Sequence, residues 1–286
     1  MHFGRIGDPG AEIPVAQIDD RLYDLRSVTP DIDGAFLASD PVAVVTAALG
    51  GLPELDGAAQ RIGSPVARPG TDYCIGLNYA AHAREGGSEP PKEIIVFLKP
   101  SNTVVGPFDE VPLPPVSDAV DWEAELAVVI GAHAWQLPDA AAGRAAIAGY
   151  TVANDVSERT WQLKRSGGQW SKGKGFPAFC PLGPWLVTAD SVDAGDLRIY
   201  STVNGEPRQD SRTSDMIFDV GQIVADLSAH TVLEPGDVIL TGTPEGVAVS
   251  GRFPYLTNDD IVEVGIEQLG VQRQRFVAST SQKAAS

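Results

Sequence analysis

The sequence predicts a β-rich α+β protein, and three observations carry that expectation. Apolar runs of strand length recur along the chain, among them Tyr73–Leu77, Ile94–Leu98, Glu123–Ile130 and Ile147–Ala153; such runs between turn residues read as strands. Asn204-Gly205 separates Leu197–Val203 from Glu206–Arg208, and that dipeptide favours the two left-handed residues of a type I′ hairpin. Helical patterns are few and mostly short. A doubly wound parallel sheet would need a helix after nearly every strand, so the pattern fits a β-rich α+β fold better.

Residues 1–68 hold short apolar stretches broken by Pro and Gly, with Val42–Leu49 as a helix, and read as a small N-terminal domain. Pro65 and Pro69-Gly70 punctuate the boundary, and residues 69–286 form the larger unit. After the strand Tyr73–Leu77, Asn78 is placed to cap a short helix over Tyr79–Glu85, which Gly86-Gly87 stops. Ile94–Leu98 is a strand ending in Lys99-Pro100, and the proline-spaced stretch Val111–Pro115 must be extended. Asp139–Ala146 reads as an Ala-rich helix between the strands Glu123–Ile130 and Ile147–Ala153. Ser157 is expected to cap a helix over Glu158–Arg165 that Gly167-Gly168 end. Trp185–Thr188, Leu197–Val203 and Glu206–Arg208 follow as strands. Ser214 is expected to cap the clearest amphipathic helix, in which Met216, Ile217, Val220, Ile223, Val224 and Leu227 recur at helical spacing. Those six are core residues. Pro235-Gly236-Asp237 then turns into Val238–Leu240 and the segment Thr241-Gly242-Thr243-Pro244.

Composition narrows the function. A chain of 286 residues with 43% hydrophobic and 21% charged residues is an ordinary globular protein with a sizeable core. Its formal net charge of −17 argues against a nucleic-acid groove, which needs a basic face. No apolar run approaches the ~18 residues of a membrane span, and Met1-His2-Phe3-Gly4-Arg5 lacks the build of a signal peptide. Cys74 and Cys180 lie beside apolar segments and are expected as buried free thiols in a reducing cytoplasm. An anionic substrate would need a local cationic site to overcome the global field.

The acids Glu123, Glu125 and Asp155 are the most informative group. Glu123 and Glu125 open the apolar run Leu126–Ile130, and residues two apart on a strand point to one face. Like charges held together away from bulk water are costly unless a cation or a shared proton relieves them. Three oxygen donors without Cys or His suit Mg²⁺ or Mn²⁺, with Ca²⁺ also compatible. On spacing alone a solvated strand face accounts for the same pattern. The step from Glu125 to Asp155 leaves room for one helical connection, so convergence of the three is open at this level.

Three further constellations stand beside the acids. His82 and Glu85 are three apart on the short helix and share a face. A carboxylate that fixes an imidazole tautomer makes it a base for activating water, although a surface ion pair would look the same. Lys172 and Lys174 lie in Gln169-Trp170-Ser171-Lys172-Gly173-Lys174-Gly175. The spacing of a nucleotide phosphate loop is absent and Gly175 replaces its Ser or Thr, so nucleotide binding is rejected. A flexible loop bearing an ammonium can still neutralise a carboxylate or enolate. The turn around Thr243 offers hydroxyl and backbone N–H donors for an oxyanion, or is an ordinary Gly/Pro turn. His2, His133 and His230 have no partners at a telling spacing.

Taken in order, these pieces resemble the fumarylacetoacetate hydrolase family. The matching segments are Gly76–Glu85, Phe97–Pro100, Asp121–Leu126, Asn154–Arg159, Gly173-Lys174, Asp215–Phe218 and Gly236–Pro244. The resemblance implies a mixed β-sandwich roll, a homodimer, and Mg²⁺ or Mn²⁺ held by Glu123, Glu125 and Asp155. It implies a lid helix carrying His82 and Glu85, Lys174 beside the metal, and Arg159, Gln162 and Thr243 near the substrate. The segments Val156–Arg159 and Gly167–Gly175 are most similar to members that cleave 2,4-dioxo acids, including hydrolases of 2,4-diketo-3-deoxy sugar acids and acylpyruvates. Gly175 and Pro177 stand where many members have Ser and Asp, and Thr160 where an Asp often follows the Arg. These departures bear on the substrate rather than on the metal ligands.

The implied activity is metal-dependent hydrolysis of a C–C bond in a 2,4-dioxo acid, giving pyruvate or a 2-hydroxy acid plus a carboxylic acid. An oxaloacetate-type decarboxylase or an enol–keto isomerase needs the same electron sink. A metal-binding protein that keeps the fold without catalysis is the third alternative, and the complete His82–Glu85 pair with Lys174 argues against it.

Overall fold

A computed structural model describes residues 1–56 and 60–279. Two sheets organise them. The larger has ten strands in the order Glu54–Leu55, Arg21–Asp24, Ile13–Ile18, His2–Ile6, Leu186–Thr188, Ile147–Asn154, Ala124–Ile130, Val238–Leu240, Asp72–Gly76 and Ile95–Lys99. Its pairings are antiparallel except between Val238–Leu240 and Asp72–Gly76. The smaller sheet orders Glu206–Arg212, Arg198–Val203, Ile261–Ile266, Gly270–Ala278 and Val111–Leu113.

The strand Ala124–Ile130 is buried at every position. Leu126, Val128 and Ile130 face a core shared with Ile199, Val262 and Val264 of the second sheet and with Ile223, Val224 and Leu227 of a helix. Ala127 and Val129 face the opposite core, among Phe3, Leu25, Phe36, Leu37 and Val45 of the N-terminal stretch. Covering on both faces is why this strand reads as a continuous apolar run and not as an alternation. The stretch 1–68, expected as a small domain, thus contributes four strands to the same sheet and one wall of a common core.

Most expected elements occur within a residue or two. The helix expected at Val42–Leu49 is Pro41–Ala48, with the Asp40 carboxylate accepting from the Ala43 N–H and Pro41 in its first turn. Asn204 and Gly205 take φ of 53° and 80°, the two left-handed residues of the predicted hairpin. Cys74 and Cys180 are buried and free.

Three expected caps are wrong, for one reason: a better-placed carboxylate takes the N–H groups. The amphipathic helix is Val220–His230, capped by Asp219 in a reciprocal box with Gln222, so Ser214, Met216 and Ile217 lie ahead of it. Ser157 pairs as a strand with Asp121, and its hydroxyl donates to the Asp155 carbonyl. The following turn, Thr160–Lys164, is a π-helix whose Trp161 N–H donates to Glu158. Asn78 does not cap Ala80–Glu85. Its amide instead ties the Phe218 and Thr241 segments together, and Asp215 accepts from the Ala81 N–H.

Candidate active site

The antiparallel register that places Ala124 opposite Asn154 puts Glu123 beside Asp155. The Asp155 N–H donates to the Glu123 carbonyl at 2.9 Å, and the Asn154 side chain accepts from the Glu123 N–H at 3.1 Å. Glu125 lies two residues further along. Ligand oxygens of Glu123, Glu125 and Asp155 lie within 4.8 Å of one another, and all three residues are buried. The solvated-face alternative is therefore excluded.

Cations surround two of these acids. Lys174 Nζ donates to Glu123 Oε2 at 2.6 Å and to Asp155 Oδ2 at 2.7 Å. Arg159 reaches Glu123 Oε1 at 2.7 Å, while its Nε donates to Asp121 Oδ2 at 2.8 Å. Lys99 donates to Asp155 Oδ1 at 2.5 Å and to the Val156 carbonyl at 3.1 Å. Burial would raise the Glu123 carboxyl, but Lys174 and then Arg159 outweigh it and hold it below the ordinary range. Burial likewise works against the Lys174 ammonium, yet Asp155 and Glu123 keep it charged. Glu125 differs: among the described residues it accepts one hydrogen bond, from the Gly242 N–H at 2.7 Å. Burial, then Asp155 and Glu123, push its carboxyl well above the usual carboxylate range.

Lys174 does not sit on a flexible loop. It ends the helical turn Ser171–Lys174 and is buried. Gly173 makes this possible, because a Cβ there would lie 2.4 Å from the Gln162 nitrogen and 2.5 Å from the Glu158 carbonyl oxygen. Its neighbour Lys172 turns away, donating to the Arg165 carbonyl with its ammonium 5.7 Å from the Trp161 ring centre.

His82 and Glu85 lie on the short helix as expected, with Nδ1 and Oε2 3.7 Å apart, an ion-pair distance too long for a hydrogen bond. Glu85 accepts instead from the Gly246 N–H at 3.0 Å, and His82 Nδ1 is buried without a hydrogen-bond partner among the described residues. Burial lowers the His82 pKa below its ordinary 6.5, and Glu123 and Glu85 recover only part of that shift. The imidazole is thus a neutral base at neutral pH.

His82, Glu85, Glu123, Glu125 and Lys174 line one cavity of about 310 Å³, together with Arg159, Gln162 and Thr243. Asp155 lies behind this wall, fully buried. Gln162 accepts from Arg159 at 2.8 Å. The Thr243 hydroxyl donates to the Ala124 carbonyl and accepts from Gln209, so it offers the cavity only a remaining lone pair. Sequence reasoning gave no role to Lys99, Asp121 or Gln209. Lys99 left a trace, a basic residue closing an apolar strand before Pro100. Gln209 left none, because its partners Ala124, Thr243 and Pro244 are remote in the chain.

The family model described as Fumarylacetoacetate (FAA) hydrolase C-terminal matches residues 71–277. The chain belongs to the fumarylacetoacetate hydrolase family. The two sheets are accordingly the mixed β-sandwich roll of a family enzyme. Human oxaloacetate tautomerase FAHD2A, mitochondrial (Homo sapiens), is 50% identical over 210 residues, covering 73% of this chain and 67% of that protein. Maleylpyruvate hydrolase from Sphingobium sp. SYK-6, solved with manganese(II) and pyruvate, superimposes with a TM-score of 0.80 at 28% identity, covering 98% of this chain and 100% of that one. A 5-carboxymethyl-2-hydroxymuconate delta-isomerase from Mycobacterium smegmatis gives a TM-score of 0.78 at 35% identity, covering 98% and 99%. The family therefore hosts hydrolysis, tautomerisation and isomerisation on this fold.

The acids of this family member fit a hard divalent cation. All three donors are carboxylate oxygens, the ligand type that Mg²⁺ and Mn²⁺ prefer. Glu125 supplies the sharper observation, a fully buried carboxylate that forms no ion pair with a Lys or Arg among the described residues. Three acids (Asp121, Glu123 and Asp155) interlock with three fixed cations (Lys99, Arg159 and Lys174), and Glu125, once ionised to hold a metal, adds a fourth negative charge beside them. A dication would turn that deficit of one positive charge into an excess of one, the sign an anionic substrate requires.

Proposed function

We propose that this protein is a divalent-metal-dependent hydrolase that cleaves a C–C bond of a 2,4-dioxo acid to pyruvate, or a 2-hydroxy acid, and a carboxylic acid. The observation that carries the reading is the cavity shared by a neutral His82 with its Glu85 partner and the Glu123–Glu125–Lys174–Arg159 cluster. Glu123, Glu125 and Asp155 would hold Mg²⁺ or Mn²⁺, with Ca²⁺ a further candidate. When bound, the cation supplies Lewis-acid stabilisation of negative charge on the 2-oxo acid oxygens.

The chain's own groups do the rest. Arg159 and Lys174 attract the carboxylate in a site poor in water, where charge acts more strongly than in bulk. Gln162 orients Arg159, and Thr243 borders the same cavity. His82 takes a proton from water as the oxygen attacks the distal carbonyl. The bond between that carbonyl and C3 then breaks, its electron pair stays on C3 as the pyruvate enolate, and the His82 proton quenches it. Glu85 stabilises the imidazolium in between and draws closer than 3.7 Å as charge develops. The substrate is a small anionic 2-oxo or 2,4-dioxo acid, acted on by a homodimer. The two buried free thiols suit a reducing cytoplasm.

A second reading, keto–enol tautomerisation of oxaloacetate, is favoured by the 50% identity to the human tautomerase. It uses the same base and electron sink without the attacking water, and decarboxylation of oxaloacetate would use the sink alone. The deciding assay incubates purified protein and Mg²⁺ or Mn²⁺ with acylpyruvates, 2,4-dioxo sugar acids and enol-oxaloacetate, following diketone enol absorbance and CO₂. Loss of absorbance with stoichiometric pyruvate supports hydrolysis. Turnover of enol-oxaloacetate alone transfers the assignment to the tautomerase, and inertness towards every 2-oxo acid sinks both.

A further inference from the structure

Beyond its charged cluster and the polar Gln162, Thr243, Ser88 and Ser250, the cavity wall is apolar. Ile75, Leu77, Phe97, Leu163, Trp170 and Val249 line it, and the lining residues include no Lys or Arg besides Lys174 and Arg159. Both are paired with Glu123, Asp155 and Asp121, and in the reaction proposed above both serve the 2-oxo acid head, which leaves no further cation for a distal group. The wall is built, not incidental. A Cβ on Gly76 would meet Trp170 Cζ3 at 2.4 Å, so the indole lies flush on the strand only because residue 76 is glycine. Phe97 meets the same indole edge to face, with ring centres 5.6 Å apart. Leu77 adopts φ of 55°, a left-handed conformation that costs a branched side chain energy and that clusters at functional sites. Leu163 is 51% exposed although it borders the cavity. A volume of about 310 Å³ is on the order of ten water volumes of ~30 Å³ each, room for a chain beyond a 2-oxo acid head.

We infer that the group distal to the scissile bond is an apolar acyl chain, selected by Leu77, Leu163 and Trp170, and not a polyol or a second carboxylate. This rests on the reaction proposed above. A distal carboxylate would leave water for a wall with no further cation, and a polyol for one whose hydroxyls beyond the head are Ser88 and Ser250, the latter already bonded to Val247 and Arg252, at a desolvation cost the acyl chain avoids. Each methylene removed from water instead favours binding.

The test compares kcat/KM for 2,4-dioxopentanoate, 2,4-dioxoheptanoate, the ω-carboxylated heptanoate and its 6,7-dihydroxylated analogue. The two added methylenes are expected to raise kcat/KM roughly tenfold, and either polar analogue to fall below the unsubstituted chain. Leu163→Ser should shrink the heptanoate-to-pentanoate ratio. A flat or falling dependence on chain length, or preference for a polar analogue, overturns the inference while leaving the reaction intact. If no 2,4-dioxo acid is turned over, the reaction fails instead. The wall is then judged by calorimetry on straight-chain 2-oxo acids, where affinity that does not rise from 2-oxobutanoate to 2-oxooctanoate overturns it.

Discussion

At the residue scale, the chemistry rests on two side chains whose environments push them in opposite directions. Glu125 is a buried acid that, among the described residues, forms no ion pair with a Lys or Arg and is held by the Gly242 N–H. Glu125→Gln keeps the shape and removes the charge, so the metal-free protein should be at least as stable as wild type while losing its response to metal. At a hundred times the Kd, Mg²⁺ or Mn²⁺ should stabilise wild type by about 2.7 kcal/mol and the variant by almost nothing, as read by thermal unfolding with and without EDTA. A full metal-dependent shift in the variant would remove Glu125 from the ligand set. His82 is a base kept neutral by burial. Its lowered pKa means that the imidazole stays unprotonated below pH 6.5, so the acid limb of kcat/KM should lie below that pH. Stability runs the same way: the unfolded chain takes a proton near pH 6.5 that the folded chain refuses, so this contribution is lost as pH falls through 6.5 towards the folded value. His82→Ala should cut hydrolysis by about 10²–10⁴-fold and leave calorimetric metal binding unchanged. Eight of the nine candidate residues fall in the segments that carry the family resemblance, Gln162 lies between two of them, and the structure brings eight of the nine to one cavity with Asp155 behind its wall. Lys99 and Asp121 lie inside matching segments, yet their roles depend on reaching Asp155 and Arg159 across the fold, and Gln209 meets Ala124 and Thr243 from a segment that carries no motif.

At the element scale, strands and three of the helix starts were legible, while the caps expected of Asn78, Ser157 and Ser214 were not those the fold uses. Strand length and apolarity are properties of a run, so Ala124–Ile130 and Ile147–Asn154 emerge from sequence almost unchanged. A helix start depends on which of several nearby Ser, Asn or Asp residues reaches the free N–H groups, and tertiary context decides that. Ser214 had the right chemistry, yet Asp219 with Gln222 forms the full reciprocal cap. Asp219→Ala should therefore cost about 1–2 kcal/mol of unfolding free energy, whereas Ser214→Ala should stay within about 0.5 kcal/mol. Equal costs in denaturant titrations would return the cap to Ser214. The turn carrying Lys174 depends on a different constraint, the contact of Gly173 with backbone atoms of Gln162 and Glu158. Gly173→Ala should destabilise by about 1–3 kcal/mol, and by displacing the ammonium from Glu123 and Asp155 it should lower kcat more than it raises KM.

At the scale of the whole molecule, no local pattern announces that the first strands finish a sheet begun elsewhere. His2–Ile6 pairs with Leu186–Thr188, more than 180 positions away. Such a pairing depends on edge geometry and shared burial, neither of which leaves a periodic trace. The family match begins at residue 71, close to the boundary read from Pro69-Gly70, yet the packing crosses that line. Phe3, Leu25, Phe36, Leu37 and Val45 lie against Cys74, Phe97, Ala127, Val129 and Leu240 in one core. Burying five such side chains is worth on the order of 10 kcal/mol at ~1.5–3 kcal/mol each, comparable with the whole stability of a domain. Residues 69–286 alone would also bare the edge of Leu186–Thr188, an invitation to pair with other chains. Deleting residues 1–68 should therefore yield an aggregating or partly folded chain, seen as void-volume elution and loss of a cooperative thermal transition. A soluble fragment that unfolds cooperatively and still binds Mg²⁺ or Mn²⁺ would establish instead that residues 69–286 fold as an independent domain. The site's position makes the outcome matter for chemistry. Ala127 and Val129, which that deletion uncovers, continue the strand that presents Glu125, so loss of the N-terminal wall should weaken metal binding before any catalytic side chain is touched.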